Sequence, residues 1–105
     1  MIQKLKELMG FGPAVDLNEW IKNGAVILDV RSKGEYSSGH VKGSVNIPVD
    51  QLASNLNKLK NKEQPIITCC ASGMRSGSAK GYLKSLGYTK VHNGGSWVNL
   101  KKYGK

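Results

Sequence analysis

The sequence predicts one α/β domain, with a central parallel sheet of about five short strands and helices on both faces. Three features lead there. A chain of 105 residues has the size of one ordinary domain and buries roughly two-thirds of its unfolded surface without a staple or a metal. Short apolar runs of strand length alternate with segments whose apolar residues recur at helical spacing. Strands separated by such segments pair in parallel through right-handed crossovers. The domain is expected to occupy residues 1–105, with a leading helix and linker at 1–12 and the core at 13–103.

In chain order, Ile2, Leu5, Leu8 and Met9 share one face of a short leading helix, which Gly10, Gly12 and Pro13 break. At about two turns, it suits packing on the domain better than anchoring in a membrane. Residues 14–16 can form a first short strand. Asp16 and Glu19 have capping-box spacing and open a helix through Trp20 and Ile21, which Asn23 and Gly24 end. The apolar run 25–30 reads as a buried strand. Ser32 and Glu35 repeat the capping-box spacing before a helix that Gly39 closes. Residues 44–47 make a third strand, stopped by Pro48. Asp50 then caps a helix with Leu52, Leu56 and Leu59 on one side. Residues 65–69 form another apolar strand. Ala79, Tyr82, Leu83 and Leu86 define a helix ended by Gly87, residues 88–92 a last strand, and Ser96 starts a closing helix through Trp97 and Leu100. Ligands of such sheets sit beyond the carboxyl ends of the strands, here after Val30, Ile47, Cys69 and His92.

An apolar fraction of 39% excludes a disordered chain. Lys+Arg number 16 against 7 Asp+Glu, a field that attracts anions. The lysines are scattered, with no run longer than Lys101 and Lys102, and no RNA-binding aromatic signature accompanies them. A solvated basic surface is expected, and no nucleic-acid partner. Only Arg31 and Arg75 are arginine, so these two positions need the planar donor fork that lysine lacks. The two cysteines, Cys69 and Cys70, are neighbours and cannot staple distant segments. The first nine residues have no unbroken apolar core or small-residue cleavage site, and no stretch approaches the ~20 apolar residues of a membrane span. A cytoplasmic protein with free thiols and no membrane partner is expected.

The segment Cys69-Cys70-Ala71-Ser72-Gly73-Met74-Arg75-Ser76 leaves a core strand and enters a helix. Successive N–H groups in such a turn, here those of Ala71, Ser72, Gly73 and Met74, point inward as an anion nest, reinforced by the helix N-terminus. Gly73 permits the backbone angles of the wrap. A thiolate at the start of the loop is stabilised by these donors and by Arg75, and needs no histidine base. Cys69 reads instead as a small core hydrophobe.

The run from Cys70 to Ser76 resembles the active-site loop of rhodanese-like domains, of the form Cys-x-x-Gly-x-Arg-Ser. Asp29-Val30-Arg31, Glu35-Tyr36 and the stretch from Gly39-His40 to Ile47-Pro48 resemble the other signature segment of that family, and Gly94-Gly95 its late glycine pair. The likeness runs from about Val15 to Leu100. It implies a sulfurtransferase: a donor such as thiosulfate leaves its outer sulfur on Cys70 as a persulfide, and cyanide, a thiol or a protein sulfur acceptor takes it away. Arg75 would hold the anionic donor, and no metal or organic cofactor is called for. Asp29 is expected as a structural carboxylate, Arg31 as a partner of Glu35 or a cation at the site rim, Ser76 as a supporting residue, and His40 as a turn-fixing one. With two separated histidines and no Cys-x-x-Cys, a zinc site is not expected. The sequence departs from the family at Cys69, and at Trp97, which follows the glycine pair unusually early.

Two other readings stand beside this one. Counted from Cys69, the stretch is Cys-x5-Arg, the spacing of cysteine phosphatases and arsenate reductases, some of which share the rhodanese fold. That pattern wants Gly three residues after its cysteine, and Gly73 has that spacing from Cys70, not from Cys69. Thr68 also stands where those phosphatases carry histidine. The third reading is a non-catalytic sulfur-carrier or binding module.

Overall fold

The computed structural model describes residues 15–105. Helix α1 (Leu17–Lys22) leads into β1 (Val26–Asp29), followed by α2 (Lys33–Ser38) and β2 (Val45–Asn46). Two 3-10 segments, Val49–Gln51 and Ala53–Lys58, precede β3 (Ile66–Cys70), α3 (Met74–Ser85) and β4 (Val91–Ser96), and a 3-10 segment, Trp97–Tyr103, closes the chain. The sheet is parallel throughout, in the order β2-β1-β3-β4.

Residue alternation along β1 and β3 sends successive side chains to opposite faces, and two core clusters result. One joins Leu28, Ile66 and Cys70 to Ala79 and Leu83 of α3 and to Leu52 and Leu59. The other joins Ile27, Ile67 and Cys69 to Leu100, with Leu17, Trp20 and Trp97 packed against it. Each fully buried Leu or Ile contributes about 1.5–3 kcal/mol.

The expected α/β class is observed, with four strands among the described residues rather than about five. Of the strand expected at residues 14–16, Val15 and Asp16 lie outside any strand, and residue 14 lies outside the described residues. The Asp16 side chain accepts hydrogen bonds from the N–H groups of Asn18 and Glu19, which commits it to capping α1. The leading helix expected at 1–12 lies outside the described residues.

Two further elements differ from expectation. Leu52 and Leu59 are buried on one side as their spacing demands, but through 3-10 turns broken at Asn55 (φ −124°, ψ 21°), and Asp50 makes no cap there. Strand β4 begins later than expected and runs through Gly94 and Gly95. Glycine is required at Gly94, where a Cβ would come within 2.8 Å of Ile67 Cγ2 and 3.0 Å of the Thr68 carbonyl. No helix of the described residues is long and apolar enough to cross a membrane.

Candidate active site

Strand β3 ends at Cys70, where Ala71, Ser72 and Gly73 turn the chain into α3. Gly73 takes a left-handed conformation (φ +103°) at the N-cap, which costs a side-chain-bearing residue free energy. The turn folds the Gly73 N–H onto Cys70 Sγ at 3.0 Å and the Ser76 N–H onto it at 3.4 Å, with the Ser76 hydroxyl also at 3.4 Å. Thr68 Oγ1 donates to the Ser76 carbonyl at 2.9 Å and ties the first turn of α3 to the strand. Ala71 lies in the turn and Met74 opens α3, but the N–H groups bonded to Sγ are those of Gly73 and Ser76, not theirs.

Burial of Cys70 opposes its ionisation. The Ser76 hydroxyl, and then the N–H groups of Ser76, Gly73 and Ser72, outweigh that penalty and hold the thiol below its ordinary value. Cys69 lies one residue back on the other face of the sheet, likewise without exposed surface and more deeply placed. There burial, aided by the Asp29 charge, pushes the thiol up to about 12. At neutral pH Cys69 is an un-ionised core side chain.

Asn93, which the sequence reading passed over, locks the loop from β4. Its Nδ2 donates to the Gly73 carbonyl at 3.1 Å, while its Oδ1 accepts from the Gly95 N–H at 3.0 Å and from Ser76 Oγ at 2.7 Å. These backbone partners determine the orientation of the amide. The Ser76 hydroxyl proton therefore has two acceptors, Asn93 Oδ1 and an ionised Cys70 sulfur. The available signal was position, since Asn93 immediately precedes the glycine pair.

Arg75 points to Glu35 of α2. Its two terminal nitrogens meet Oε1 at 2.7 Å and Oε2 at 3.0 Å in a fork-to-fork pair. The Arg75 guanidinium, with the Ser32 backbone N–H second, holds the Glu35 carboxyl down to about 2. The Arg75 charge is stabilised first by Glu35, with Cys70 a smaller contributor.

Arg31 is not the rim cation that was expected, and it reaches Glu35 only at the backbone carbonyl, 3.3 Å away. It is buried against Asp29, which accepts from Arg31 Nε at 2.9 Å and from a terminal nitrogen at 2.6 Å. The guanidinium also donates to the Gly39 carbonyl at 2.7 Å and lies 4.6 Å from the centre of Trp97. Trp97 is thus the lid on a buried ion pair, and Arg31 ties that pair to the Glu35 carbonyl and the C-cap carbonyl of α2, the helix that carries Glu35. His40 Nδ1 lies 2.8 Å from the Tyr36 carbonyl and its ring stacks on Tyr36, while His92 packs on Trp20.

Beside Arg75, at the carboxyl ends of β1 and β2, lies a groove of about 340 Å³ with Val30, Pro48 and Val49 as its apolar wall and Lys33 and Asp50 as its charges. A larger groove of about 580 Å³, bounded by Trp20, Pro65 and Lys90, sits at the opposite ends of the strands, away from Cys70.

A parallel α/β sheet whose central strand delivers a stabilised cysteine into a six-residue loop closed by arginine defines the class of protein. The rhodanese-like domain family model matches residues 13–102, and the chain belongs to that family. It is 35% identical over 74 residues to the thiosulfate sulfurtransferase PspE of Escherichia coli (strain K12), an alignment covering 70% of this chain and 71% of that protein. It is 37% identical over 86 residues to the putative sulfur carrier protein YrkF of Bacillus subtilis (strain 168), over 82% of this chain and 44% of the relative. The structure described as a rhodanese with anions from E. coli superposes with a TM-score of 0.68 at 31% identity, over 72% of this chain and 91% of that one. Among three curated relatives, the chain spans 54%, 71% and 44% of their lengths.

Proposed function

We propose that the protein is a sulfurtransferase that carries sulfane sulfur on Cys70. The observation that carries this reading is the contrast at the end of β3: Cys70 Sγ collects backbone and hydroxyl donors that favour its thiolate, while adjacent Cys69 stays protonated. The Cys70 thiolate attacks the outer sulfur of thiosulfate. A new S–S bond forms, the bond to the sulfonate sulfur breaks, and its electron pair leaves with sulfite. The terminal sulfur of the Cys70 persulfide is then attacked by cyanide or a thiolate, which departs as thiocyanate or a new persulfide and returns the Cys70 thiolate. No proton or external electron is needed in either step. The likeness to a thiosulfate sulfurtransferase supports this reading.

A sulfur-carrier role, with a protein as acceptor, uses the same persulfide and is favoured by the likeness to a putative sulfur carrier protein. The cysteine-phosphatase register has less support, because a Cys69 thiol held near 12 is a poor nucleophile at neutral pH. Intact mass after incubation with thiosulfate tests the proposal. One added sulfur atom on wild type, removed by cyanide, is the expected result. No adduct on a folded protein, together with aryl phosphate hydrolysis that depends on Cys69, would overturn it.

A further inference from the structure

We propose that Glu35 is a specificity-determining residue, a fixed carboxylate that engages Arg75 and so disfavours small inorganic dianions relative to organic persulfides as sulfur donors. This rests on the sulfurtransferase reading.

The first observation is the occupied fork. Both terminal nitrogens of Arg75 face Glu35 oxygens, and Arg75 is the only basic residue between Cys69 and Ser76. A sulfonate end that would use the same fork must share it with a carboxylate at contact distance. Like charges so close oppose each other strongly.

Glu35 is also held by its own helix. Its Oε1 accepts the Ser32 N–H at 3.2 Å and the Ser32 hydroxyl at 3.0 Å, completing the capping box of α2. Arg31 pins the same helix through the Glu35 and Gly39 carbonyls. The carboxyl protonates only near pH 2, so no ordinary pH releases Arg75.

The second observation is the charge at the mouth. The chain carries +9 overall, yet the groove beside Arg75 contains Lys33 opposite in sign to Asp50, and Glu35 offsets Arg75. These four groups sum to zero. A surface that gathers anions at long range thus has balanced charges around this groove. An apolar wall of Val30, Pro48 and Val49, with Lys33 and Arg75 beside Asp50, suits a small peptide-like persulfide that has both an ammonium and carboxylates.

The test is Glu35→Gln, which keeps an oxygen for the Ser32 cap and loses the charge. Glutathione persulfide and thiosulfate serve as donors, cyanide as acceptor, and a thermal melt verifies folding. The ratio of kcat/KM for thiosulfate to that for the persulfide is expected to rise about tenfold, through a lower KM for thiosulfate. Protection of Cys70 from iodoacetamide by sulfite, which needs no turnover, is expected to tighten by a similar factor. A ratio that stays constant or falls in folded Glu35→Gln overturns the proposal and leaves Glu35 as a positioning residue for Arg75. Wild type that takes sulfur from neither donor overturns the sulfurtransferase reading instead, and sulfite protection still reads the anion discrimination.

Discussion

On one face of β3 the Cys70 sulfur meets two N–H groups and a hydroxyl within 3.4 Å. On the other face, one residue earlier, the Cys69 sulfur lies among Ile27, Val41, Ile67 and Leu100. Neither cysteine exposes surface, but Cys69 lies deeper, and only Cys70 has donors at its sulfur. Burial raises either thiol, and only where a left-handed turn redirects the backbone toward the sulfur is that penalty reversed. The comparison teaches that the lowered thiol pKa belongs to the turn rather than to the residue type.

The strongest way to break the comparison is to exchange serine for each cysteine. Cys70→Ser is expected to reduce sulfite release from thiosulfate to background, while Cys69→Ser keeps most of it. Steady-state kinetics on both variants decide. A dead Cys69→Ser beside an active, folded Cys70→Ser would reverse the assignment.

The second test removes the charge near Cys69. Asp29→Asn leaves Arg31 buried without its counter-charge and is expected to cost about 3–5 kcal/mol of stability, read as a lower urea midpoint. The folded fraction should still load sulfur, because Asp29 touches Arg31 and not the Cys70 loop. A variant of wild-type stability would mean that Arg31 finds another partner.

The smallest effect is expected from Ser76→Ala. It deletes the leading donor to the Cys70 thiolate, so the pH profile of Cys70 alkylation should move upward. The sign follows from the linkage: a depressed thiol pKa is maintained by groups that prefer the thiolate, and losing one lets the proton stay to higher pH. Turnover at mildly acid pH should drop about tenfold, the scale of one hydrogen bond to a charged group. An unmoved profile would assign the whole effect to the backbone.

The loop from Cys70 to Ser76 was legible because its determinants are local: a strand end, a glycine able to adopt φ > 0, and a helix start within seven residues. The caps at Asp16 and Ser32 were legible for the same reason. What escaped was set by distance in sequence. Glu35 was read as a cap and as an Arg31 partner, and nothing local says that its carboxylate meets Arg75 forty positions on. Asn93 acts on Gly73 and Ser76 across two strands. The extension of β4 through Gly94 contradicts the weak strand propensity of glycine and follows from close packing on Ile67 and Leu100. The segment after Pro48 kept its apolar side but not its helix type, since Asn55 leaves helical angles.

The closed setting of Cys70 bears on oxidative damage. Overoxidation of a cysteine follows thiolate character and exposure together, and Cys70 has the first without the second, since none of its surface reaches solvent. Peroxide should therefore convert it to the irreversible sulfinic acid slowly for a thiol of lowered pKa, which mass measurement along a peroxide titration would read. In the proposed persulfide the attached sulfur would stand between Sγ and the oxidant. Oxygen would add first to an atom that an ordinary thiol reductant can strip away, leaving Cys70 intact.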